Sequence, residues 1–152
     1  MGEKAVKDRL RLDLRVLFHW NEREPKFFQE LYKEPFDIGI PKKNGSYYTL
    51  EIKTTKEYGN HKNVIIPESN WKKSDFAIGV KILKFDLGRK KTACGFIAGY
   101  LKKDEIMNIK PEYGEGTRCP LFPGRCKGLM ELNPISVLWE KLQNKCIRWE
   151  SA

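Results

Sequence analysis

Residues 35–55 read PFDIGIPKKNGSYYTLEIKTT, two alternating runs joined by a turn. Phe36, Ile38 and Ile40 face one way and Asp37 and Gly39 the other, the period of two of a half-buried strand. Pro41 ends this run, and residues 42–46 contain Asn44-Gly45, a strong hairpin-turn signal. Alternation resumes over residues 47–54, with Tyr48, Leu50 and Ile52 on one face and Thr49, Glu51 and Lys53 on the other. Asp37 and Glu51 are 14 residues apart in this numbering (51 − 37). With a tight turn between them, the two strands are predicted to pair as a hairpin that brings both carboxylates together.

Outward from the hairpin the chain is mixed α/β. Upstream, residues 3–20 carry Val6, Leu10, Leu14, Leu17 and Phe18 at spacings of three and four, a helical stripe. A second helical piece is predicted over 27–32, after Pro25. Downstream, 64–66 reads as a small strand, and 76–83 and 93–101 as stronger ones, joined by a basic connection of Gly88 and Arg89-Lys90-Lys91. Residues 102–107 read as a short helix and 111–128 as an irregular Pro- and Gly-rich loop. Pro134 opens a last helix to about residue 142, and 147–149 reads as a closing strand. No internal repeat or linker divides residues 1–152, so a single domain is expected.

At 152 residues the chain is long enough to bury its own core. Its 29 Lys and Arg against 20 Asp and Glu leave a net charge of +9, which favours polyanions and makes nucleic acid the expected partner. No run approaches the roughly 20 apolar residues of a membrane span, and residues 1–10 are charged where a signal peptide is apolar. A soluble, cytoplasmic protein without a membrane partner is therefore expected. Of the four cysteines, Cys119 and Cys126 flank Pro120, Pro123 and Gly124 and are placed to meet across a loop. None of the cysteines forms the CxxC pair of common zinc sites.

The chemistry lies in the hairpin. Two carboxylates brought together repel unless they share a cation, and an all-oxygen donor set suits Mg²⁺ or Mn²⁺. A lysine beside them orients a water or offsets charge on a phosphate, which completes a phosphodiester-hydrolysis set. Half-exposed strands also carry merely solvated charges, and Glu51 and Lys53 fit that reading too. On an ideal helix Asp13 falls between Leu10 and Leu17 within the apolar stripe, where an unpaired carboxylate is costly. It reads either as a third metal ligand or as the partner of a base such as Arg9. Lys56, His61, Lys62, Lys72 and Lys73, with Tyr58 and Trp71 interleaved, read as a nucleic-acid-binding stretch of phosphate contacts and stacking rings.

Pro35-Phe36-Asp37, followed by Glu51-Ile52-Lys53 and Thr54-Thr55-Lys56, resembles the motif of the PD-(D/E)xK nuclease superfamily, which includes restriction endonucleases and archaeal Holliday-junction resolvases. Phe36 stands between the Pro and the Asp that the signature places side by side. The resemblance covers residues 3–101, with 102–152 as a C-terminal elaboration. It implies a restriction endonuclease-like mixed sheet flanked by helices. Carried over, Asp37 and Glu51 are metal ligands with the Ile52 carbonyl as a third, Lys53 is the catalytic lysine, and Asp13 is the acid of the first helix. The expected activity is Mg²⁺-dependent DNA hydrolysis, by an endonuclease for which a homodimer is a reasonable state. The alternatives are a non-catalytic nucleic-acid-binding protein on the same fold and a small interaction protein with incidental charge.

Overall fold

The computed structural model describes residues 2–16, 18–20, 37–55, 63–67, 74–87 and 90–148. The chain opens with α1 (Gly2–Asp8), which runs into a π-helical turn over Arg9–Leu14. The expected helix to residue 20 stops there. Arg15 is left-handed (φ 53°, ψ 37°) and its N–H bonds back to the Leu10 carbonyl, which also accepts from Val16 N–H at 3.1 Å. Wider π-type bonding shifts the residues that follow around the axis. Leu10 and Leu14 stay buried while Asp13 turns outward.

β1 (His19–Trp20), β2 (Ile38–Pro41), β3 (Tyr47–Thr55), β5 (Phe76–Leu87) and β6 (Lys90–Lys102) form one mixed sheet in the order β1-β2-β3-β5-β6. β1, β2 and β3 are an antiparallel meander, β5 lies parallel to β3, and β6 returns antiparallel. β4 (Asn63–Pro67) instead pairs antiparallel with β7 (Gly124–Gly128) as a separate two-stranded ribbon. Between β6 and β7 lies α2 (Lys103–Asn108), and a 3₁₀ turn over Leu129–Glu131 precedes α3 (Ile135–Lys145).

The period of two gives the sheet two unlike faces. Ile38, Ile40, Leu50, Ile52, Phe76, Ile78 and Val80 face α1, with its Val6, and α3, with its Leu138 and Leu142, in the main core. Each fully buried Leu or Ile of this core contributes about 1.5–3 kcal/mol. Ala77 and Leu101 on the opposite face pack with Val64 and Ile66 of β4 and Ile106 of α2. The molecule is thus a mixed sheet flanked by helices on one side and by the β4–β7 ribbon with α2 on the other. Arg125 of β7 joins this second layer, donating from one guanidinium nitrogen to the carbonyls of Met107 and Ile109 at the end of α2.

Several expectations change. β5 runs on to Leu87 and β6 begins at Lys90, so Lys90 and Lys91 of the expected basic connection lie in a strand. Residues 124–128 of the supposed loop are β7, whose sequence Gly-Arg-Cys-Lys-Gly lacks strand character and takes it from β4. Past α3, the described part of the expected strand 147–149 forms one bridge, Arg148 to Val16, and Trp149 lies outside the described residues. In β6, Gly79↔Gly99 is followed by Val80↔Ile97, so Ala98 is bulged out. The helix expected over 27–32 lies outside the described residues.

Candidate active site

Asp37 sits one residue before β2 and grips β3 on both sides of Glu51. Its backbone N–H donates to Leu50 O at 3.1 Å, and its Oδ2 accepts from Ile52 N–H at 2.7 Å. The β2–β3 ladder pairs Ile38 with Leu50. One step further in that register, Asp37 stands opposite Glu51. The two carboxylates therefore share a strand pair at the position where the hairpin pattern put them.

Glu51 and Lys53 are two apart and share a face of β3. Lys53 Nζ lies 2.9 Å from Glu51 Oε1, with the two side chains only 21% and 10% exposed. Burial here follows from small neighbours: in the parallel register Glu51 lies beside Ala77 and Lys53 beside Gly79. A Cβ on Gly79 would fall 2.8 Å from Val64 Cγ2 and from Leu132 Cδ1. The outer layer thus comes down to the backbone next to Lys53. An ion pair kept from water in this way is screened less than a surface one, while desolvation of both groups offsets part of the attraction.

The strand that carries the pair is itself clamped. Asp75 Oδ2 accepts from Thr49 N–H at 2.9 Å and from its hydroxyl at 3.2 Å. In return Asp75 N–H reaches Thr49 Oγ1 at 3.1 Å. This reciprocal pair sits where β5 joins β3 and sets the register that faces Glu51 with Ala77. Asp75 escaped the sequence reading because its partner is remote in the chain; the available signal was an acid immediately before an apolar strand. Thr55 shares the face of Glu51 and Lys53, and its Oγ1 is buried with no hydrogen-bond partner among the described residues.

Asp13 is elsewhere. Its side chain is 51% exposed and ion-paired with Arg9 at 2.5 Å, the second of the two readings given above. It lines a groove of about 570 Å³ with Arg9, Leu12, Phe96 and Trp139, to which neither Asp37 nor Glu51 contributes. Its place within the buried stripe is corrected accordingly, because the π-type turn breaks the 3.6-residue spacing. Lys56, His61, Lys62, Lys72 and Lys73 lie outside the described residues, as do Tyr58 and Trp71.

No helix among the described residues is long and apolar enough to cross a membrane. Comparison of the chain with protein-family models, with curated proteins and with solved structures finds no match.

Proposed function

We propose that the chain is a metal-dependent nuclease that hydrolyses DNA phosphodiester bonds, built on a restriction endonuclease-like arrangement of the PD-(D/E)xK kind. One observation carries the reading: Asp37 brackets Glu51 across the β2–β3 pair while Lys53 lies against the Glu51 carboxylate. The order helix, antiparallel three-stranded meander, then a strand parallel to the third supports the fold half of it. The net charge of +9 supports a polyanionic substrate.

The donor set fits a hard cation: two carboxylates on facing strands and the Ile52 carbonyl between Glu51 and Lys53 are all oxygen. Asp37 and Glu51 with that carbonyl would hold Mg²⁺ or Mn²⁺, which when bound supplies Lewis-acid stabilisation of charge on the phosphate. Lys53 positions an attacking water and offsets negative charge as the phosphate reacts. Its ammonium is aimed by Glu51 and kept from bulk water, so its field is weakly screened. Asp37 also ties the Ile52 amide, which fixes the backbone between the acid and the lysine.

A second reading has its own support. The Lys53–Glu51 pair and the Ile52 N–H on Asp37 each give a partner to groups of the site without any cation, as a purely nucleic-acid-binding protein would require. The deciding experiment incubates the protein with plasmid, linear duplex, single-stranded and branched DNA in Mg²⁺ or Mn²⁺ against EDTA, alongside Glu51→Ala. Metal-dependent cutting that disappears in the variant is expected. DNA binding without cutting selects the second reading.

A further inference from the structure

The loop between α2 and β7 is held by local bonds, among them Gly114 N–H to Cys119 O at 3.1 Å and the Thr117 hydroxyl to Gly114 O at 2.6 Å. Its two ends meet through reciprocal backbone bonds of Glu112 and Gly124, at 2.8 and 3.0 Å. Between them Gly114 and Gly116 take positive φ, and most side chains face solvent, Leu121 at 84% exposure. Cys119 is the exception. It is 2% exposed, as is Cys126 on β7, and the two sulfurs lie 3.0 Å apart. A Cβ on Gly124 would come within 2.8 Å of Cys119 Sγ, so the glycine leaves the space that the thiol occupies. The Glu112 carboxylate completes the group, with all three donor atoms within 4.8 Å of one another.

We propose that Glu112, Cys119 and Cys126 bind a zinc ion that staples this loop to the β4–β7 ribbon. Zinc takes thiolate sulfur at about 2.3 Å and carboxylate oxygen at about 2.0–2.2 Å in a tetrahedron, leaving the fourth position to water. Tetrahedral bonds of that length put two sulfurs about 3.8 Å apart, within reach of a small rotation of either side chain. A disulfide would account for the two sulfurs alone, whereas a zinc ion engages the two sulfurs and the neighbouring carboxylate together. The surroundings also suit a cation–ligand set. Two thiolates and a carboxylate carry three negative charges, matched by two on zinc and one on Arg118. Arg118 Nε holds Glu112 Oε2 at 2.8 Å, and its other end reaches Asn63 Oδ1 at 3.2 Å. Ligating carboxylates are commonly oriented by such an outer partner. The staple ties the loop to β4 through Arg118 and to β7 through Cys126. It does not depend on the nuclease reading.

The test uses the full chain, purified with reductant and without chelator, and measures zinc content by elemental analysis and free thiols by colorimetric titration. About one zinc per chain is expected, falling in Cys119→Ser and in Glu112→Gln. The metal-stripped protein titrated with Co²⁺ should develop a thiolate-to-cobalt charge-transfer band. The half-exposed Glu112→Gln variant, which keeps both thiols, should bind Co²⁺ at least about tenfold more weakly. Absence of zinc together with absence of a cobalt band in the unmodified chain overturns the proposal. So does a metal-free chain with two thiols lost to a disulfide, and so does unchanged Co²⁺ affinity in Glu112→Gln.

Discussion

Asp37 does two jobs that single substitutions separate. Its Oδ2 holds the Ile52 amide at 2.7 Å, and its charge belongs to the proposed metal site. Asp37→Asn keeps an acceptor for the amide and removes the charge, so it should fold with near-normal stability and lose metal-dependent cleavage. Asp37→Ala loses both and should cost about 1–3 kcal/mol of stability as well. Urea unfolding of the two variants beside a cleavage assay checks the split; equal destabilisation would mean that the hydrogen bond contributes little. That Asp37 and Glu51 fall opposite one another on paired strands was legible because both strands alternate strictly about one turn, so one register follows from the apolar face. Asp13 was misplaced for an equally physical reason: a helical wheel assumes 3.6 residues per turn, and Arg9–Leu14 does not obey it.

Among the elements, those with a pattern of their own were legible: β3 from its alternation, β5 and β6 from their apolar and aromatic runs and α3 from the proline that opens it, although β5 runs on to Leu87 and β6 begins at Lys90. β7 was not, because Gly-Arg-Cys-Lys-Gly has no such pattern and becomes a strand only by pairing with Val64 and Ile66 across the ribbon. The bulge in β6 was equally hidden. It lets the segment before α3 reach the sheet, where Tyr100 and Asn133 exchange backbone bonds at 3.1 and 3.0 Å. Asn133 is then held from its side chain by Glu105 Oε1 at 2.7 Å, which anchors the segment to α2. Gly99 is the cost of this approach: a Cβ there would fall 2.5 Å from Asn133 O. Gly99→Ala should destabilise the protein by about 1–3 kcal/mol through overpacking. Amide hydrogen exchange should place the loss of protection at Tyr100 and Asn133, and an unaltered denaturation midpoint would show that the segment moves aside without cost.

In the whole molecule the last third of the chain closes the core that the first third opens. Cys146, fully buried among the core residues, bridges to Lys42, and Ile147 N–H bonds Pro41 O at 3.0 Å. Burial raises the Cys146 thiol from an ordinary 9.0 to about 11, against the opposing pull of Lys42 and Lys43. The unfolded chain thus releases this proton at lower pH than the folded one. The stability that the neutral thiol contributes is complete below pH 9.0 and is lost as pH rises towards about 11. Unfolding followed across that range should show stability falling with pH, and Cys146→Ala should flatten the decline; an identical slope in the variant would place its origin elsewhere. The β4–β7 pairing carries a different consequence. Asn63 faces Gly128, so Asn63 is synthesised 65 residues (128 − 63) before its partner. Until then Val64 and Ile66 have no ribbon to complete, and the outer layer over Lys53 cannot settle. A nascent chain halted before β7 would leave this apolar stretch uncovered, which makes the synthesis of β7 the step that closes the layer over the candidate site.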